Sequence, residues 1–205
     1  IFNLFAFVVA AALLIALPTL TGGLIATVVL SFSYLFDCTD GMLARHKKLA
    51  SKSGHLFDFF TDEIKATLLV GALGLRAYFT GGFGFDAEVW QPADVRFLFA
   101  ALAGVVVISS ATSLTNFVRR PELTGSETPV EAHYETVKVA RPEGPVRWAI
   151  WSVTTFLRFL NHYPSHIWIF AVLGRLELFF WVYAAINLLY LGRGWLGILL
   201  RFGRT

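Results

Sequence analysis

The sequence predicts an all-α, polytopic membrane protein, with about six transmembrane helices around a polar, cytoplasm-facing cavity. Three observations carry that expectation. The chain is 56% hydrophobic and only 15% charged, with a mean hydropathy of +0.64, which excludes an ordinary soluble globule. Long apolar runs alternate with shorter polar segments. Basic residues gather in alternate connections. The length of 205 residues suits a single domain over 1–205. A net charge of +3 is too small to suggest a nucleic-acid partner. The lone Cys38 excludes an internal disulfide and a cysteine-based zinc site. Ile1 stands where a start methionine is expected, so the natural chain is expected to begin earlier, and no signal peptide is read into residues 1–17.

The elements follow in order. Ile1 to Leu17 is apolar except for Asn3, and Pro18 with Gly22 and Gly23 closes this first span. Leu24 to Phe36 carries a second apolar run into Asp37 and Asp40. A third span starts near Gly54 and ends near Phe79, with Asp58 and Asp62 close to its beginning. Thr80 to Asp94 reads as a glycine-rich loop containing Asp86, Glu88 and Asp94. Val95 to Val118 is a fourth span, in which Gly104, Ser109, Ser110 and Ala111 allow close helix approach. Residues 119–147 are too polar for lipid and read as a loop. Trp148 to Leu173 is apolar but broken at Asn161-His162-Tyr163-Pro164. Its first half, through Ile150, Val153, Leu157 and Leu160, reads as interfacial, and the span proper includes Ile167 to Leu173. Leu178 to Leu191 is the last span.

Charge placement supplies an orientation. Arg45, Lys47, Lys48 and Lys52 follow the second span. Arg119, Arg120, Lys138, Arg141 and Arg147 follow the fourth, and Arg193, Arg201 and Arg204 the sixth. The positive-inside rule makes those segments cytoplasmic. The protein is then expected to be a multi-pass component of a bacterial cytoplasmic membrane, with its lipid bilayer as constant partner.

Four carboxylates stand out against this apolar background. Asp37, Asp40, Gly41 and Ala44 are spaced i, i+3, i+4, i+7, one face of a helix, and Gly54, Asp58 and Asp62 form a second stripe. The basic turn between them makes an antiparallel hairpin natural, so the two stripes are expected to face each other. Carboxylates so placed in a low dielectric repel, and each costs several kcal/mol if ionised and unpaired. Divalent cations would remove that penalty, and oxygen-only ligands suit Mg²⁺ or Mn²⁺. Four Asp in two pairs would hold two ions about 3.5–4 Å apart, as in phosphoryl chemistry.

The pattern D-x2-D-G-x2-A-R-x8-G-x3-D-x3-D is met at every position of residues 37–62, and it resembles the signature of the CDP-alcohol phosphotransferases. The resemblance implies transfer of a phosphoalcohol group from a CDP-alcohol, such as CDP-diacylglycerol, to an alcohol acceptor, with release of CMP, in phospholipid biosynthesis. It implies that Asp37, Asp40, Asp58 and Asp62 hold the two ions and that Asp62 is the general base. Asp40, Gly41, Ala44, Arg45 and Gly54 would line the CDP-alcohol site, and a homodimer is implied too. Glu63 departs from the basic residue that often follows the last Asp in members using phosphate-bearing acceptors. Serine, a free polyol or a diacylglycerol with a CDP-headgroup donor stay open as acceptors, and phosphate-bearing acceptors are not excluded.

Other readings stay open from the residues themselves. Intramembrane Asp also marks cation transporters and channels, and an inactive assembly subunit would carry the same motif. Gly41, Ala44 and Gly54 serve either helix packing or a ligand. Arg45 is either a membrane anchor or a diphosphate contact. Lys65 is read as neutralising Asp62. Arg119 and Arg120 either anchor the fourth span or grip an acceptor phosphate. The five histidines show no ligand spacing, and no role is read for Glu63, Arg76 or Arg175.

Overall fold

The computed structural model describes residues 2–48, 51–118 and 144–202. Helix α1 spans Phe2–Ala16, α2 Leu20–His46, α3 Lys52–Thr80 and α4 Arg96–Val118. Helix α5 follows at Pro145–Asn161, α6 at Ile167–Val172 and α7 at Leu176–Phe202. The only strands among the described residues pair Gly82 with Trp90 and Phe83 with Val89 in a short antiparallel hairpin inside the expected glycine-rich loop. The all-α expectation holds. Leu20–His46, Arg96–Leu114 and Leu176–Leu200 are each long and apolar enough to cross a bilayer. Helix α3 is also long, at 29 residues, but carries charges along its length, and α1 is a shorter apolar helix of 15.

Three boundaries differ from expectation. Helix α2 carries the Asp motif to His46, as the spacing suggests, but starts at Leu20, ahead of Gly22 and Gly23, and is a 27-residue rod of about 40 Å. That exceeds the hydrocarbon thickness of about 30 Å, so its motif end reaches the membrane face. Helix α7 likewise continues past Leu191 to Phe202. The fifth apolar stretch is two helices, as the Asn161–Pro164 interruption suggests. Pro164 supplies no N–H and disfavours the helical conformation before it, and the chain makes a single 3₁₀ turn at Tyr163–Ser165. Pro145 to Arg147, read with the polar loop, instead open α5. The rest of that loop, with Arg119 and Arg120, lies outside the described residues.

The core is formed by Phe7, Leu14, Leu30, Leu69, Leu73, Phe179 and Phe180, all essentially without exposure. Helix α3 meets α4 closely because Gly74 faces Ala101, where an added Cβ would lie 2.9 Å from the Ala101 Cα. Gly104 extends this contact toward Val70 and Phe180, as its small size suggested. Helix α1 packs against both α2 and α3, more extensively than these two touch one another. The expected α2–α3 hairpin is therefore splayed around α1. Sequence adjacency favours direct pairing, but the apolar α1 offers both helices a larger surface to bury.

At the hairpin end, Arg76 resolves a backbone problem. Pro18 ends α1 and leaves carbonyls without helical partners. The buried Arg76 donates through Nη1 to Leu14 O at 3.1 Å and Leu17 O at 2.8 Å, and through Nη2 to Thr19 O at 2.5 Å. Gly23 makes room for it, since a Cβ there would meet Nη2 at 3.0 Å. Thr19 then caps α2 by accepting from Gly22 N at 3.0 Å. The same end carries Arg175, which donates to Glu177, and Arg96, which donates to Asp94 at 2.9 Å. The Arg96 guanidinium holds the Asp94 carboxyl below the usual carboxylate range.

Replacing Arg76 with Met should expose several carbonyls to an apolar interior. Charge-assisted bonds of this kind contribute about 1.5–3 kcal/mol each. We expect a clearly lower melting temperature for Arg76→Met in detergent, with Arg76→Lys intermediate because it lacks the fork. An unchanged melting temperature would show that the clamp is not structural.

Candidate active site

The motif residues lie at the end of the bundle opposite the hairpin. Asp37, Asp40, Gly41 and Ala44 sit on the last three turns of α2, and Gly54, Asp58 and Asp62 on the first three turns of α3. Ser51 starts α3 as its N-cap, accepting from Gly54 N at 3.1 Å. Antiparallel direction thus brings the two stripes to one end, as the spacing suggested.

The contact between the stripes is a shared ammonium. Lys65 Nζ donates to Asp37 Oδ1 and to Asp62 Oδ1, both at 3.0 Å. The lysine side chain is 3% exposed, whereas Asp37 is 28% and Asp62 62% exposed. Lys65 reaches Asp62 because they are one turn apart on α3, and it reaches Asp37 across the gap left by the splayed helices. It therefore neutralises two carboxylates rather than one. Asp58 and Asp37 are both near enough to Asp62 to act on it electrostatically.

A second donor fixes Asp37. The Asn3 amide Nδ2 donates to the same Oδ1, and the Ser33 hydroxyl donates to Asn3 O at 2.6 Å. Asn3 is buried at the start of α1, which explains the single polar residue in that apolar run. Its isolation was the signal available in the sequence. For Lys65 the signal was a lone cation one turn beyond the last motif Asp. Neither residue belongs to the spacing pattern.

The other motif positions are open. Asp40, Arg45, Gly54 and Asp58 are exposed, and Gly41 and Ala44 partly so. A Cβ built on Gly41 would meet nothing within 4 Å. Helix packing therefore does not require glycine at 41, which removes the bland explanation for that residue. Glu63 accepts from the Ser113 hydroxyl of α4 at 3.4 Å.

The donor chemistry suits a hard divalent ion, being carboxylate oxygen throughout. The geometry described is nonetheless a lysine-bridged pair. Among the described residues, no three His, Cys, Asp or Glu side chains are gathered into a group that could hold a metal ion. Of the four carboxylates, Asp37 and Asp62 are joined through Lys65, and Asp58 lies near enough to Asp62 to act on it.

Comparison with known proteins bears on what such a site does. No curated protein and no solved structure gave a match. The family described as CDP-alcohol phosphatidyltransferase matches residues 1–120, which include α1, the whole motif and α4. That match covers more than half of the chain and implies transfer of a phosphoalcohol group in phospholipid synthesis. With an all-α fold and its carboxylate stripes at one end, the chain belongs to the CDP-alcohol phosphatidyltransferase family.

Proposed function

We propose that the protein transfers a phosphoalcohol group from a CDP-alcohol to the hydroxyl of an acceptor, with release of CMP. The observation that carries this reading is the meeting of Asp37 and Asp62 through one buried cation, beside open space at Gly41. CDP-diacylglycerol is the donor that suits a membrane site, which makes the moved group phosphatidyl. The whole of 1–205 acts as one domain, as a homodimer, with the motif end toward the cytoplasm. The basic segment after α2 supports that orientation. At the opposite end Arg96 and Arg175 are closed by Asp94 and Glu177.

Asp37, Asp40, Asp58 and Asp62 would hold two Mg²⁺ or Mn²⁺ ions. Such ions, when bound, offset the negative charge that collects on phosphoryl oxygens during transfer. Asp40, Gly41, Ala44, Arg45 and Gly54 line the donor site. The space at Gly41 admits a flat base and ribose, and the exposed Arg45 guanidinium meets the diphosphate. The acceptor oxygen forms its bond to the β-phosphorus of the donor as the bond from that phosphorus to CMP breaks. The acceptor proton passes to Asp62. Arg119 and Arg120 contact an anionic acceptor or anchor the fourth helix to anionic headgroups. A cation channel is disfavoured because Leu69, Val70, Leu73, Phe179 and Phe180 fill the bundle between its two charged ends.

CMP release by the purified protein tests the reading. Release from CDP-diacylglycerol should depend on an added alcohol, cease in excess EDTA and return with Mg²⁺ or Mn²⁺. Full activity under chelation would refute the ion site. Asp58→Asn should leave under a tenth of the wild-type rate, a barrier rise above about 1.4 kcal/mol, while the protein still inserts and folds. A larger residual rate would remove Asp58 from the centre of the chemistry.

The open face at Gly41 yields a separate expectation. Since a Cβ there would meet no side chain and no neighbouring helix within 4 Å, Gly41→Leu should fold normally. It should nevertheless weaken CMP and CDP binding and lower kcat/KM for the donor. Wild-type nucleotide affinity in this variant would place the nucleotide elsewhere.

A further inference from the structure

Asp37 Oδ1 already has two donors, the Asn3 amide and the Lys65 ammonium. A carboxylate oxygen has two in-plane lone pairs, so both are in use. Any cation that binds this oxygen must displace one donor. The ammonium is the one that a divalent ion repels, and the same move frees Asp62 Oδ1. Lys65 is buried at 2% exposure, so its charge is bound to these carboxylates for as long as it stays.

We propose that Lys65 is a resident countercation, which stands between Asp37 and Asp62 when no divalent ion is bound and withdraws when one is. The proposal rests on the reading of the Asp cluster as a divalent-ion site and deepens it. Lys65 is a positioning residue here. It keeps the carboxylates facing each other at the membrane face, where their charges would otherwise repel. It also competes with the ion, so it sets the affinity of the site. Asn3 remains in place in both states and keeps Asp37 on the cluster side of α2.

Two measurements test this on the full protein in detergent. The first is Mn²⁺ binding, read from the electron paramagnetic resonance signal of free Mn²⁺, for wild type and Lys65→Met. Removing the competing charge should tighten binding at least about tenfold. Lys65→Arg, which keeps the charge, should bind no more tightly than wild type. Equal or weaker Mn²⁺ binding by Lys65→Met would overturn the proposal and leave the ion site standing. Absence of Mn²⁺ binding by every form would bring down the ion-site reading and the proposal together. The second needs no variant and covers the case in which Lys65→Met does not fold. Wild type is treated with an amine-acetylating reagent in EDTA or in Mn²⁺, and the Lys65 peptide is quantified by mass spectrometry. The exposed Lys47 and Lys48 serve as internal references. Acetylation of Lys65 should rise several-fold with Mn²⁺ relative to those two. An unchanged or lower ratio would show that the ammonium does not withdraw.

Discussion

A buried ammonium shared by two carboxylates is the interaction on which the motif end depends. In a low-dielectric bundle an isolated charge is expensive, and removing one member of a buried pair costs more than the pair contributes. Lys65 closes Asp37 of α2 and Asp62 of α3 at once. Arg76 performs the matching task toward the C-terminal end of the same helix, closing the carbonyls of the α1–α2 turn. Residues 65 and 76 are three helical turns apart, about 16 Å along α3, and lie on nearly the same face. Helix α3 therefore holds the α1–α2 pair by one cation at its midpoint and one near its C-terminal end, with apolar packing of Leu69 and Leu73 between.

This clamp positions the candidate site. The motif end of α2 lies beyond the packed core, so Asp40, Gly41 and Arg45 are available to a ligand rather than to a neighbouring helix. Splay of α2 and α3 around α1 leaves a gap between the stripes. A lysine spans that gap in the structure, and a larger cationic cluster would draw the stripes together by the same attraction.

The motif was legible because its chemistry is periodic. Asp37, Asp40, Gly41 and Ala44 announce a helix face by spacing alone, as do Gly54, Asp58 and Asp62, and each set lies on one helix. What the sequence left hidden has no period. Lys65 and Arg76 are isolated cations in α3, and only tertiary contact shows that one bridges two carboxylates and the other caps a turn. Asn3 was visible as an oddity but not as the partner of Asp37, a residue 34 positions away. The intercalation of α1 was likewise invisible, since hydrophobic periodicity tells which face is buried but not against which helix. The break at Pro164 was readable because proline acts locally.

The most direct test of the clamp is a double-mutant cycle on unfolding free energy with Asp37→Asn and Lys65→Met. Each single variant should destabilise, because it leaves the other group short of its partner. The double variant should be more stable than the sum of the two losses predicts, by about 1–3 kcal/mol after allowance for the exposure of the carboxylates. Additive losses would show that Lys65 and Asp37 act independently, and that the two halves of the motif are not one electrostatic unit.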